Sequence, residues 1–223
     1  MARKLLTEMI GTFFLVLTIG LAVIGEIPVA PLAIGSALMV MVYMGGHVSG
    51  AHYNPAVTLA VWARGAMRTG DVIPYWIAQL AGGFLGAAAA WAITWETFAP
   101  APGATATVIG ALLVELLFTF ALVLVVLQTA TAPETKGNSF YGLAIGFTVA
   151  AGAFAGGGIS GGAFNPAVGL GPILFRGLVD GGTFADAWLY VVAPVVGALV
   201  ATGVYRFQSP GSPTLQHREE AGA

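Results

Sequence analysis

Long apolar segments alternate along this chain with short polar or glycine-rich ones. A helix that crosses a membrane needs about 20 mostly apolar residues, and six segments approach that length. They are Leu5–Ile24, Pro31–Gly46, Val72–Ile93, Val108–Leu127, Phe140–Ala155 and Phe184–Arg206. The second and the fifth are short, but each runs into a glycine-rich stretch that can lie at membrane depth. The pattern predicts an all-α protein with six membrane-spanning helices.

Two further apolar segments are too short to cross a bilayer. Pro55–Arg64 follows the second span and Pro166–Phe175 follows the fifth, and each has ten residues. At about 1.5 Å per residue, such a helix reaches about 15 Å, half of the hydrocarbon thickness. We interpret these segments as re-entrant half-helices that meet near the middle of the membrane.

The composition supports a membrane protein and removes several other classes. Hydrophobic residues make up 57% of the chain and charged residues 8%, whereas a soluble domain has about 25% charged residues. The net charge of −2 argues against a nucleic-acid partner. With no Cys and three His, neither a metal site nor another cofactor is expected. The expected surroundings are membrane lipid.

The basic residues predict the orientation of the chain. With the N-terminus inside and six spans, seven of the eight basic residues lie on the cytoplasmic side, and only Arg176 lies outside. The seven are Arg3, Lys4, Arg64, Arg68, Lys136, Arg206 and Arg218. Both termini are then cytoplasmic, in a plasma or inner membrane. Residues 1–206 are expected to form one membrane domain, and the polar tail 207–223 is expected to be disordered.

The two halves of the chain resemble each other. The first, about 1–93, contains TEMIGTFFLVLTIG and HVSGAHYNPAV, and the second, about 108–206, contains VELLFTFALVLVVL and GGISGGAFNPAV. Each half has three spans and one half-helix, and an odd number of spans inverts the second half relative to the first. Inverted repeats with broken helices at the midplane are an architecture of transport proteins.

An Asn-Pro-Ala motif begins each half-helix. The residues are Asn54, Pro55 and Ala56 in the first half and Asn165, Pro166 and Ala167 in the second. Proline suits the first helical position, and asparagine caps a helix with its side-chain oxygen. The two amide NH₂ groups are then expected to stay free at mid-membrane, beside two positive helix ends. Such a centre favours neutral polar molecules and opposes protons and cations, which indicates a passive channel.

These paired motifs, each preceded by Ser-Gly, resemble those of the aquaporin, or major intrinsic protein, family. The inverted three-span repeats and a glutamate in the first and fourth spans, Glu8 and Glu115, are similar to the same family. The resemblance extends to about Phe207. It implies six membrane helices with two half-helices, a homotetramer with one pore in each subunit, and a channel for water and small neutral solutes rather than an enzyme.

In this family a selectivity filter lies outside the motif pair. Its positions, counted from the two asparagines, are Ile34, Ala153, Gly162 and Val168. Most members have Arg directly after the second motif, and water-selective members add an aromatic residue and a His. Val168 is similar to one branch of vacuolar-membrane (tonoplast-type) aquaporins, which keep a polar filter residue. We therefore expect a wide, apolar filter that passes water with ammonia, urea, hydrogen peroxide or glycerol. Gly169 replaces the Asp usual in glycerol-selective relatives.

Four ionisable residues are candidates for roles beside the pore. Glu8 and Glu115 are costly to bury and need partners; we interpret them as acceptors that brace the re-entrant loops, with a proton relay as the alternative. His47 and His52 flank the first loop, as braces or as a pH-dependent gate.

Four aromatic residues and three other function classes remain to be considered. Tyr75, Trp76, Trp188 and Tyr190 are expected at the membrane interface or in packing contacts. A secondary transporter also uses inverted repeats, but it would need an ion-coordinating site at the midplane. A dedicated glycerol facilitator is the other alternative. An intramembrane serine protease would need a His in the last two spans, where there is none.

Overall fold

The computed structural model describes residues 1–211, and regular structure in that range is helical. In chain order the helices are α1 (Ala2–Ile24), α2 (Ala30–Ser49), α3 (Pro55–Ala63), α4 (Thr69–Thr94), α5 (Val108–Val126), α6 (Tyr141–Ser160), α7 (Pro166–Val179) and α8 (Leu189–Gln208). A π-helical turn, Leu127–Thr131, continues α5. Among the described residues, six helices are long and apolar enough to cross a membrane. The predicted all-α fold with six spans and two short helices between them is confirmed.

Several helix ends differ from the predicted bounds. The second and fifth spans continue to Ser49 and Ser160, where Gly50 and Gly161 end the helices in the left-handed conformation. The second half-helix has 14 residues, not ten, since the helix continues past Phe175 to Val179. The sixth span begins at Leu189 rather than Phe184, after a stretch of turns. The predicted disorder of the tail falls mostly on residues 212–223, which lie outside the described range.

Glycines bring the spans of each half close together. A methyl group on Gly82 of α4 would lie 2.4 Å from the carbonyl oxygen of Met9 in α1, and one on Gly197 of α8 would lie 2.4 Å from that of Leu116 in α5. No Cβ atom fits at such a distance, so only glycine permits these crossings. The two halves therefore use the same kind of contact at matching places.

The two half-helices end near arginines. Arg64 is buried at the C-terminal end of α3 and donates to the carbonyl oxygen of Thr131, at 2.6 Å, in the π-helical turn. Arg206 of α8 donates to the Ala63 carbonyl at the same helix end. In α7 the last turn contains Arg176. Cations stabilise the negative C-terminal end of a helix, which gives a physical reason for Arg176, the residue that departs from the positive-inside pattern.

Most basic residues lie on one face of the bundle, which we call the basic face. Lys4, Arg64, Arg68 and Lys136 line a single cavity there. From Arg68 the 26 residues of α4 carry the chain about 39 Å across the bundle, where the next loop meets the end of α7. Arg176 thus lies at the opposite face, as the inverted repeat requires.

Candidate pore

Each asparagine of the paired motifs caps its half-helix. The side-chain oxygen of Asn54 accepts from the Ala56 N–H at 2.8 Å, and that of Asn165 accepts from the Ala167 N–H at 2.9 Å. Both asparagines have extended backbones, and a proline follows each at the first helical position. Both are buried, with exposed fractions of 3% and 5%. The short motif therefore produces a helix start by local chemistry alone, twice.

The two asparagines also cross-link the halves. The Nδ2 atom of Asn54 donates to the carbonyl oxygen of Phe164 at 2.9 Å, and Nδ2 of Asn165 donates to that of Tyr53 at 2.8 Å. The expectation that both NH₂ groups stay free is therefore wrong for one N–H of each amide. A primary amide has two N–H donors, and within residues 1–211 the protein provides a hydrogen-bond partner for one of them on each asparagine.

The buried carboxylate of Glu8 holds the first re-entrant loop. One oxygen accepts from the Ser49 hydroxyl at 2.6 Å and from the His52 N–H at 3.0 Å. The other accepts from the Tyr53 N–H at 2.7 Å and from the amide of Gln79 at 2.8 Å. Charged acceptors make strong hydrogen bonds, so this carboxylate fixes the loop directly before Asn54.

Glu115 has the matching position in the second half. It accepts from the Ser160 hydroxyl at 2.8 Å and from the N–H groups of Ala163 and Phe164 at 2.9 and 2.6 Å. A counterpart of Gln79 is missing, because the corresponding residue of α8, counted from the paired tyrosines, is Pro194. The second carboxylate therefore has three donors where the first has four.

Two serines and two tyrosines complete the hydrogen-bond network around the loops. Their role was not predicted from the sequence. The hydroxyl of Tyr75 donates to the Ser49 carbonyl at 2.8 Å, and that of Tyr190 donates to the Ser160 carbonyl at 2.5 Å. Of the interface or packing contacts expected for these tyrosines, the structure shows packing: both are buried, and both are also hydrogen-bonded to the ends of α2 and α6. Because the two tyrosines stand at corresponding positions of the repeat, the sequence contained a signal that they share one role.

The re-entrant loops adopt a strained backbone. In the first loop φ is +51° at Ala51 and +49° at Tyr53, and in the second it is +50° at Phe164. Residues with a side chain lose about 1–2 kcal/mol in this left-handed region. The hydrogen bonds of the loops to the two carboxylates oppose that cost.

A narrow cavity lies between the two loops. It is lined by Ile34, Gly162 and Val168 together with both asparagines. Its remaining lining is apolar apart from one histidine and consists of Leu15, Ile19, Leu38, Ala51, His52, Val57, Leu122, Val126, Ile145, Val149 and Ala163. The volume is about 30 Å³, and a single water needs about 10–15 Å³ on this measure. The cavity thus holds very few waters at once.

Three of the four predicted filter positions therefore lie at this cavity. The fourth, Ala153, is not part of its lining. It lies next to Gly162, since a methyl group added to Gly162 would be 3.7 Å from the Cα atom of Ala153. Small residues at these two places were expected to give a wide passage. The cavity is nevertheless small, because leucine, isoleucine and valine side chains from several spans fill the space.

A much larger cavity of about 710 Å³ opens on the basic face. His47 and His52 both line it, but His47 is exposed on the last turn of α2. Only His52 also lines the narrow cavity, so the structure brings one of the two predicted histidines to the pore. Within residues 1–211, no group of three or more His, Cys, Asp or Glu side chains is placed to hold a metal ion.

Comparisons with known proteins agree with this architecture. The family model described as Major intrinsic protein matches residues 1–205. Glycerol uptake facilitator protein-like 6 of Lactiplantibacillus plantarum (strain ATCC BAA-793 / NCIMB 8826 / WCFS1) is 36% identical over 214 residues, which cover 89% of this chain and 94% of that protein. Aquaporin NIP1-1 of Zea mays is 35% identical over 91% of this chain and 73% of its own length. Aquaporin-8 of Notomys alexis is 39% identical over 75% and 65%.

A solved structure has the same fold. The X-ray structure of the aquaglyceroporin from Plasmodium falciparum superposes with a TM-score of 0.80 at 24% sequence identity, covering 92% of this chain and 95% of that chain. The family match takes in every helix apart from the last residues of α8. Because that match spans nearly all of the described residues, the chain belongs to the major intrinsic protein family of multi-pass membrane channels.

Proposed function

We propose that this channel conducts water and small neutral solutes passively and excludes ions and protons. The observation that carries the proposal is the narrow cavity between two asparagines that cap opposed half-helices. Each asparagine keeps one N–H for a solute, and each helix start carries about half a positive charge. A neutral molecule with a lone pair is stabilised there, whereas a cation is repelled from both sides.

The solute range follows from the filter. Ile34, Gly162 and Val168 provide no charge and no side-chain hydrogen bond, so no side chain of these three replaces the water that a polar solute loses there. The small cavity adds a steric limit, since larger solutes need the branched side chains to move. We expect water, ammonia and hydrogen peroxide to pass more readily than urea, and urea more readily than glycerol.

Glycerol is the solute of a second candidate function, a dedicated glycerol facilitator. It is favoured by the relative that is named a glycerol uptake facilitator-like protein and is 36% identical to this chain. Against it stand the volume of about 30 Å³ and Gly169 in place of the Asp of glycerol-selective relatives. The first function therefore agrees better with the geometry.

The other proposed features serve this function. Glu8 and Glu115 act as braces of the loops, since both accept from loop N–H groups; their buried, fully partnered geometry does not favour a proton relay. The basic face is proposed to be cytoplasmic, in keeping with the positive-inside tendency. A homotetramer with four separate pores is the proposed assembly, and glycine-rich helix faces suit close packing in membranes.

The test is a panel of fluxes in proteoliposomes. Water, ammonia, urea and glycerol permeabilities are measured for the wild-type protein, Val168→Arg and the matched neutral variant Val168→Leu. We expect the wild type to pass water and ammonia, and only the Arg variant to change the order of the polar solutes. A flux that saturates at low solute concentration or depends on an ion gradient would indicate a transporter instead.

A proton assay on the same vesicles tests the exclusion of charge. We expect no proton flux through the wild-type protein, because the paired helix ends oppose cations. A proton flux that Val168→Arg abolishes, and Val168→Leu does not, would show that the helix ends are insufficient without a filter cation.

A further inference from the structure

We propose that the wide cavity on the basic face is a binding site for residues 212–223 of this same chain, and that their binding closes the pore. We call these residues the tail segment. The inference rests on the proposed function, since closure matters only for a channel that conducts. The tail segment contains Glu219 and Glu220, which are the charges that complement the cavity.

The wide cavity collects positive charge from separate parts of the chain. Its lining includes Lys4 of α1, Arg64 at the end of α3, Arg68 before α4 and Lys136 between α5 and α6. Asp71 is the one acidic residue of that lining within the described part of the chain. With neutral histidines, four basic residues and one acidic residue give a formal charge of +3. A concave site lined by one sign of charge concentrates its field, so this cavity attracts anionic groups.

The end of α8 delivers the chain to the rim of this cavity. Arg206 donates to the carbonyl oxygen of Ala63, and the amide of Gln128 donates to Oε1 of Gln208 at 2.8 Å. The residues that directly follow Ala63 and Gln128 both line the cavity. Helix α8 ends at Gln208, so the chain leaves it between two parts of the cavity wall.

The length and the composition of the tail segment suit this site. Glu219 follows Gly211 by eight residues, and an extended chain of that length reaches about 26–29 Å. Leu215 is the one large apolar residue among residues 212–223, so the segment has too little apolar surface for a core of its own and would gain order by binding. The cavity volume of about 710 Å³ lies within the range of about 300–1,000 Å³ that is usual for ligand sites.

An occupant of the wide cavity blocks the pore because the two cavities adjoin. Ala51, His52, Val126 and Ile145 line both of them. A solute that arrives from the basic face therefore crosses the wide cavity before it reaches the asparagine pair. The tail segment closes the channel from that face by filling this space, without any movement of the half-helices.

The covalent link gives the tail segment an advantage over free anions. A short flexible linker holds the segment at an effective concentration in the millimolar range. A contact with a dissociation constant of about 1 mM then keeps the pore closed for roughly half to three quarters of the time. Removal of the segment is therefore expected to raise the flux about twofold to fourfold.

The first experiment measures water flux in vesicles of neutral phosphatidylcholine, which lack anionic headgroups. A chain that ends at Gly211 keeps all residues of the family match and is expected to show the full rise in flux. Glu219→Gln combined with Glu220→Gln should give most of that rise, whereas the control Arg218→Gln should give none. Between about 0.1 M and 1 M salt the screening length falls from about 10 Å to 3 Å, so the wild-type flux should approach that of the shortened chain.

The outcomes separate this inference from the proposed function. Equal flux of the wild-type and shortened chains, at equal protein density, would overturn the inference and leave the channel function intact. A rise in flux that the glutamates and the salt do not affect would also overturn it, since the contact would not be electrostatic. Absence of solute flux from both chains would overturn the proposed function.

The second experiment detects the bound tail segment without any flux. The chain has no cysteine, so Ala221→Cys can be paired with Met67→Cys, which lies in the cavity lining, or with the control Ala2→Cys, which is exposed outside that lining. A disulfide needs Cα atoms within about 7 Å of each other. We expect a disulfide within one chain for the Met67 pair at low salt, and much less for the control pair. Equal yields in the two pairs, or a product of twice the monomer mass for the Met67 pair, would overturn the proposal.

Discussion

The two re-entrant loops are alike in what holds them and unlike in what they present to the pore. In both, a buried glutamate accepts from two loop N–H groups and a serine, and a tyrosine hydroxyl fixes the preceding helix end. The chemistry beyond this brace differs. Behind the first loop lie Thr58 and Gln79, and the corresponding residues of the second half are Gly169 and Pro194.

The comparison separates two kinds of constraint on a duplicated architecture. Every re-entrant loop leaves backbone N–H groups inside the membrane, and each unsatisfied group there costs several kcal/mol. That problem arises in both halves, and both solve it with the same residue types. The lining of the narrow cavity is less symmetric, since His52 of the first loop corresponds to Ala163 in the second. The braces are therefore duplicated, whereas the side chains that the two loops present to the cavity differ.

The largest expected effect comes from removing the two carboxylates. Glu8→Leu leaves four donors without their acceptor, and Glu115→Leu leaves three. Each buried orphan costs about 1–3 kcal/mol, so both variants are expected to lose most of their folded protein, Glu8→Leu more completely. Thermal unfolding midpoints in detergent measure the effect, and Glu8→Gln and Glu115→Gln are the matched milder variants. A more damaging change at Glu115 would contradict the comparison.

A smaller effect is expected where the halves use the same helix crossing. Gly82→Ala and Gly197→Ala each place a methyl group 2.4 Å from a backbone carbonyl oxygen, and overpacking of this kind costs about 1–3 kcal/mol. We expect similar losses in the two halves, measured as thermal midpoints. Gly70→Ala and Gly203→Ala are controls in the same two spans, since nothing lies within 4 Å of their added methyl groups. Equal losses in test and control variants would show that helix propensity, and not the crossing, is responsible.

The smallest expected effect concerns the tyrosine hydroxyls. Tyr75→Phe and Tyr190→Phe each remove one hydrogen bond to a helix-end carbonyl, which contributes about 1 kcal/mol. The ring stays, so packing is preserved and the water permeability is expected to be unchanged. Stability and flux measured on the same preparation test both parts. A large loss of flux in one variant alone would place that hydroxyl in the conduction pathway and break the symmetry of the braces.

Local chemistry explains why much of the fold was predictable. The spans follow from apolar length, and the half-helix starts follow from Asn-Pro, which acts within three residues of Asn54 and Asn165. The end of α7 was less accessible, because Arg176 and Gly177 resemble a helix stop and yet the helix continues to Val179. That extension depends on what surrounds the helix end, and no local signal reports it.

The candidate pore was predictable in its motifs and not in its cross-connections. The bond from Asn54 to the Phe164 carbonyl joins residues that are 110 positions apart, and no motif specifies it. The size of the passage depends on side chains such as Leu15, Leu38 and Leu122, which carry no functional pattern. The small filter residues indicated a wide passage. Aliphatic side chains from other helices occupy the space that these small residues leave open.

The reciprocal asparagine bonds have a consequence for the order in which the protein can be made. The Tyr53 carbonyl receives its donor from Asn165, which is 112 positions later. A ribosome therefore releases the first loop long before its partner exists, and insertion of the first three spans leaves that loop open on one side. The centre of the molecule closes only when the second loop arrives from the opposite face. Until then the Tyr53 carbonyl and the Asn54 amide of a nascent chain lack their partners from the second loop within the bilayer.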